Sequence, residues 1–158
     1  MSLQSELNLP RAIEKLDHEA IMNMVLTGES LAKEGDRLLR PFALTDSQFN
    51  ILMLLKNQAA PEGVSQTRLG EMLLVNRSNV TGLVDRMEQA GWVERGAEAG
   101  DRRVKTVSLT AAGRRLTDRA EKAYLARITQ IMGGLGKQEQ QQLCKLLERV
   151  RERIHLAK

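Results

Sequence analysis

The feature that most constrains this chain is the stretch from Val64 to Gly113, where two short helical patterns about a turn run into a hairpin with a basic tip. Ser65 is placed to cap a helix over Gln66 to Leu74, whose Leu69, Met72 and Leu73 recur at helical spacing. Asn76 is placed to cap a second, roughly Arg77 to Gln89, with Val80, Leu83, Val84 and Met87 as its apolar stripe. Gly91 stops that helix, because glycine tolerates the left-handed conformation that follows a helix end. Trp92–Arg95 and Val104–Leu109 then read as strands about a turn-rich tip, Gly96 to Arg103.

Two helices about a short turn suit insertion of the second into a major groove, and an arginine-tipped hairpin suits the adjacent minor groove. The stripe leaves Arg77, Ser78, Asn79, Thr81 and Arg86 on or beside the outward face. Asn pairs bidentately with adenine, and Ser and Thr read base edges or the thymine methyl. The competing role for Ser78 and Asn79 is to cap the helix. Arg77 and Arg86 are expected on phosphates, with a solvated surface arginine as the alternative. Ser65, Gln66 and Thr67 open the first helix, where amides and hydroxyls suit a phosphate. Arg102 is a further cation for the backbone.

Several of these residues resemble the MarR (multiple antibiotic resistance regulator) family. Asp101-x-Arg103 followed by Leu109-Thr110-x-x-Gly113 is similar to its wing signature. Ser65-x-x-x-Leu69-Gly70 and Asn79-Val80-Thr81-x-Leu83-Val84-Asp85-x-Met87-Glu88-x-x-Gly91 resemble its two helix-turn-helix segments. The resemblance implies that Arg103 enters the minor groove with Asp101 bracing it; a hairpin salt bridge without a DNA role is the plain alternative. It also implies a two-fold dimer with terminal helices as its hub, and a small, often anionic aromatic effector between hub and DNA-binding lobe. His18, Met22, Arg40 and Trp92 are the candidate lining of that effector site, with core packing the alternative for Trp92.

The flanks agree with this plan. Pro10 is compatible with the first turn of a helix running to about Leu39, with Ile13, Leu16, Ala20, Met24 and Leu31 near one face. Gly28 and Gly35 weaken it and are possible bends. Thr45-Asp46-Ser47-Gln48 reads as a capping box opening a helix with Phe49, Leu52, Met53 and Leu55 inward. Thr110 is placed to cap Ala111 to about Met132, and Gly133–Gly136 breaks that helix. Lys137 to His155 carries Leu143, Leu146, Leu147, Val150 and Ile154 in a coiled-coil-like series. The expected fold is mainly α with a small β-hairpin wing. A winged helix-turn-helix lobe at 45–110 lies between dimerisation helices at 10–40 and 111–156, in a single unit over 1–158. Two amphipathic ends of this kind intertwine most economically with those of a second chain; a monomer with its own ends packed together is the alternative.

Composition narrows the remainder. A net charge of +4 and 42% hydrophobic residues suit a folded chain with an unspecific basic excess. No apolar run approaches the roughly 20 residues of a membrane span, and no signal-peptide pattern opens the chain. The single cysteine, Cys144, excludes an intramolecular disulfide, suits a cytoplasmic location, and is expected as a small buried hydrophobe. Thiol-sensing branches of the resembled family carry their cysteine near the N-terminus, where this chain has none. Two histidines and one cysteine make no convincing zinc set, and no nucleophile–base or phosphate-loop pattern proposes catalysis. The expectation is therefore a ligand-responsive repressor that binds a pseudo-palindromic DNA site as a homodimer, without metal or catalytic residues. A protein-binding winged helix and a metal- or redox-gated regulator are the other readings.

Overall fold

Local capping sets many of the helix boundaries in the computed structural model, which describes residues 3–58, 63–73, 77–98 and 101–156. The side chains of 58, 77–79, 97, 98 and 101–105 lie outside that description. A short α1 (Leu3–Glu6) ends on Asn8, whose left-handed φ of 50° lets the Leu9 N–H reach back to the Gln4 carbonyl at 3.0 Å. Helix α2 (Leu16–Leu39) then runs unbroken through Gly28 and Gly35. It begins six residues later than expected at Pro10. A proline is compatible with a first turn but does not nucleate one, and Lys15 precedes α2 without a side-chain cap. A 3-10 turn, Arg40–Phe42, carries Pro41 and closes on Ala43 at φ 56°.

The expected capping box is present. Gln48 donates its N–H to Thr45 Oγ1 at 3.3 Å, and Thr45 donates its N–H to Gln48 Oε1 at 2.9 Å, opening α3 (Asp46–Gln58). After β1 (Val64–Ser65), Ser65 accepts the Arg68 N–H at 3.2 Å and starts α4, which ends at Met72 rather than Leu74. Helix α5 spans Arg77–Gln89; the expected Asn76 cap lies outside the described residues. The hairpin is longer than expected: β2 is Val93–Glu98, starting after Trp92, and β3 is Asp101–Leu109. Thr110 then accepts the Gly113 N–H at 3.0 Å and opens α6 (Ala111–Met132), and α7 spans Lys137–Leu156.

The sheet has the order β1-β3-β2, all antiparallel, with Val64 opposite Val107 and Val93 opposite Leu109. Strand β1 was not expected. Gly63 makes it possible: its φ is 94°, and a Cβ there would lie 2.5 Å from the Val107 carbonyl oxygen. The core gathers Phe49, Ile51, Leu52 and Leu55 of α3 with Leu69, Val80, Leu83, Val84, Met87, Val93 and Val107, all at most 5% exposed. Burial of each such side chain contributes roughly 1.5–3 kcal/mol, so the sheet and helices α3–α5 stabilise one another.

The chain divides into two compact units, Met1–Ala120 and Glu121–Lys158. The first holds the winged lobe, α2 and the opening turns of α6. In the second, Gln140 Nε2 donates to the carbonyls of Met132 and Leu135 at 3.2 and 2.9 Å, and Glu139 accepts the Gly136 N–H at 2.6 Å. The glycine-rich break is thus a locked corner.

Candidate nucleic-acid interface

The buried stripe of α5 fixes which face it presents. Val80, Leu83, Val84 and Met87 are 0–5% exposed, so Thr81 and Arg86 stand outward with Asp85. Arg77, Ser78 and Asn79 occupy the first turn of α5; their side chains lie outside the description. Arg86 turns back along the helix, its Nη1 3.7 Å from where a Cβ on Gly82 would be. That direction is usual for helical side chains, and it carries the guanidinium toward the start of α5.

Helix α4 packs on α5 and supplies the other expected contacts. Ser65 Oγ accepts the Arg68 N–H as the cap, Thr67 is exposed, and Gln66 is half-buried. Gln66 Nε2 is buried without a hydrogen-bond partner among the described residues. Arg68 pairs with Glu71 at 3.1 Å.

The wing departs from a regular ladder where the arginines lie. Ala97 pairs with Lys105 and Glu98 with Asp101, one step on β2 against four on β3. Arg102 and Arg103, expected in the connecting turn, therefore sit with Val104 in an irregularity of β3. Such bulges bend a strand and re-aim its side chains. At the other end of the hairpin, Arg95 ties β2 to α5. Its backbone N–H donates to Glu88 Oε1 at 3.3 Å, and its guanidinium bonds Glu88 Oε2 and Asp85 Oδ1. The Asp85 hydrogen bond raises the Arg95 pKa above its ordinary value; burial opposes this and the Glu88 charge adds to it. Sequence reasoning missed Arg95, although Asp85-x-x-Glu88 places two carboxylates on neighbouring helix positions facing a basic strand.

The four effector candidates are dispersed along the chain. His18 is exposed and Met22 half-buried on α2, Arg40 is exposed in the 3-10 turn, and Trp92 is half-buried before β2. Trp92 lines an open cavity whose lining does not include the other three. Cys144, expected to be buried, is exposed on α7, as are Leu143, Leu146 and Ile154 of the apolar series there. Among the described residues no three His, Cys, Asp or Glu side chains group to hold a metal ion. None of the described helices is long and apolar enough to cross a membrane.

Known proteins share this plan. A MarR family model matches residues 44–104. The HTH-type transcriptional regulator PecS of Dickeya dadantii strain 3937 is 31% identical over 119 residues, covering 75% of this chain and 72% of that protein. CouR from Rhodococcus jostii RHA1, solved bound to p-coumaroyl-CoA, aligns with a TM-score of 0.76 at 27% identity, over 87% of this chain and 95% of that one. The S. aureus MepR–DNA complex aligns with a TM-score of 0.74 at 20% identity, over 82% of this chain and 93% of that one, and is alike in fold.

Proposed function

The chain belongs to the MarR family of transcriptional regulators, and from that membership we propose that it acts as a homodimeric, ligand-responsive repressor in the cytoplasm. In this reading each α5 enters a major groove by its first turn. Ser78, Asn79 and Thr81 meet base edges, and Arg77 and Arg86 meet phosphates. Ser65, Gln66 and Thr67 at the start of α4 hold the adjacent backbone. Arg103 enters the minor groove from the wing, Asp101 braces it, and Arg102 follows a phosphate. The two half-site centres lie about one turn, roughly 10 bp, apart. Its activity is binding, with no chemical step.

The observation that carries this reading is the buried α5 stripe, which leaves Thr81 and Arg86 outward on a helix tied to the wing through Arg95. Dimerisation is supported by large apolar side chains left uncovered on α2 and α7. Leu16, Ile21, Val25 and Leu31 of α2 are 48–79% exposed, and in the second unit Leu143, Leu146 and Ile154 of α7 are 39–57% exposed. A small-molecule response is supported by the p-coumaroyl-CoA bound to CouR. Such a ligand releases DNA only by preferring the conformation that DNA does not.

The test is a titration of a fluorescent fragment from upstream of the protein's own gene, with wild type and Arg103→Ala at two salt concentrations. Tight, salt-steep binding weakened by the substitution is expected. Binding no better than to random DNA, at this and other promoters, would overturn the reading in favour of a protein-binding winged helix.

A further inference from the structure

Gly82 stands near the middle of the outward face of α5. At about 100° per residue, the buried Val80, Leu83, Val84 and Met87 put it roughly opposite their stripe. Ser78 lies one turn before it along the helix, and Asp85 and Arg86 lie one turn after. The position is about 7.5 Å along the axis from Arg77, within reach of the first-turn residues.

The fold gives no reason for a glycine there. Where packing does require one the contact is plain: a Cβ would lie 1.9 Å from the Trp92 carbonyl oxygen at Gly113, and 2.5 Å from that of Val107 at Gly63. At Gly82 the backbone is helical, and among the described residues a Cβ would meet only Arg86 Nη1, at an ordinary 3.7 Å. That atom is the far end of a flexible side chain, so alanine fits without moving the backbone. Glycine inside a helix is less stable than alanine, because it gives up more backbone freedom on folding. The chain thus keeps a destabilising residue that its own packing does not use.

Charge on this face also permits a close approach. Asp85, the carboxylate one turn along, is bonded by the Arg95 guanidinium, which offsets its charge where a polyanion would come near. A helix with its side chains is about 10–12 Å across and the major groove about 12 Å wide. The fit is tight, so whatever stands at the middle of the inserted face sets the depth of insertion.

We propose that Gly82 sets how deeply α5 enters the major groove, its bare backbone lying against a base-pair edge. The assignment rests on the reading of α5 as the DNA-inserted helix, and adds a specificity-determining position to it. A methyl group at this point lifts the helix and draws Ser78, Asn79 and Thr81 away from the bases. Arg77 and Arg86 have long side chains and keep their phosphates.

The test uses full-length wild type, Gly82→Ala, and Gly28→Ala as a helix-interior control whose new methyl has nothing within 4 Å. Each is melted, then titrated with the upstream fragment and with random DNA at two salt concentrations. Gly82→Ala should melt at or above the wild-type temperature, yet bind the upstream fragment about ten-fold more weakly. Its affinity for random DNA should stay within about two-fold and its salt slope should hold, because the phosphate contacts remain. Gly28→Ala should melt higher with both affinities unchanged. The loss from Gly82→Ala should recur on an Arg86→Ala background, which separates direct contact with DNA from a seat for that arginine. An unchanged specific affinity, an equal loss on random DNA, a lower melting temperature, or an effect that vanishes without Arg86 would each overturn the proposal. Wild type that binds no promoter better than random DNA overturns the repressor reading and this one together. Specific wild-type binding that Gly82→Ala leaves intact overturns the Gly82 assignment alone.

Discussion

Arg95 and Glu88 are joined twice, through the Arg95 backbone N–H to Glu88 Oε1 at 3.3 Å and through the guanidinium to Glu88 Oε2. The same guanidinium reaches Asp85, so one strand residue holds two carboxylates of α5. The pairing ties the first residues of β2 to α5, the helix proposed to read DNA. Arg95→Gln keeps a polar side chain but loses the forked charge. Partly exposed pairs contribute up to about 1 kcal/mol, and a fall in melting temperature of about 2–4 °C is expected. DNA affinity should fall further than this loss accounts for, while Glu88→Gln on the Arg95→Gln background adds little. A double-mutant cycle checks both.

The pH dependence of this clamp follows from the direction of the Arg95 shift. A raised pKa means that the arginine's contribution is fully present below its ordinary value and is lost only as pH rises through the higher folded value. Between pH 6 and 9 the gap in melting temperature between wild type and Arg95→Gln should therefore stay constant. Thermal melts at both pH values check it.

Two glycines should respond in opposite senses to alanine. At Gly113 the added Cβ would meet the Trp92 carbonyl oxygen at 1.9 Å, and a backbone atom cannot rotate away. A loss of about 3 kcal/mol is expected, at the upper end of overpacking costs. At Gly28 nothing lies within 4 Å of the new methyl and the backbone is helical, so alanine should stabilise by up to about 1 kcal/mol. Urea midpoints of the two variants decide the matter.

Leu146 is 47% exposed on α7, within the series proposed to meet a second chain. Leu146→Glu should convert the dimer to monomer by light scattering with native helix content retained. A dimer of unchanged affinity would remove α7 from the interface.

Arg86 is exposed and turned back along α5 toward its start, and is proposed to meet a phosphate. Arg86→Ala should weaken binding to all DNA sequences alike and reduce the slope of log affinity against log salt by about one. Thr81→Ala should instead change the preference at one base position. Salt titrations on matched and single-substituted operators distinguish them.

What the sequence by itself determined lies within four residues of its cause. Thr45 with Gln48, Ser65 with Arg68, and Thr110 with Gly113 each set a helix start from adjacent side chains and amides. Periodicity likewise identified the buried face of α5. It did not identify what covers that face, because an apolar stripe records burial without a partner. Pro10 was misleading for the same reason: compatibility with a helix is local, whereas nucleation needs sustained support that begins only at Leu16.

Tertiary structure decided the rest. Strand β1 is two residues long and exists through its pairing with Val107 and Thr106, some forty positions away. Lys56 takes Asp118 out of the charge balance of α6, and Gly113 seats on Trp92. The Arg95 clamp depends on such contacts. Side chains far apart in the sequence meet only once the core of α3, α5 and β3 has fixed the elements that carry them, and no local pattern encodes that distance.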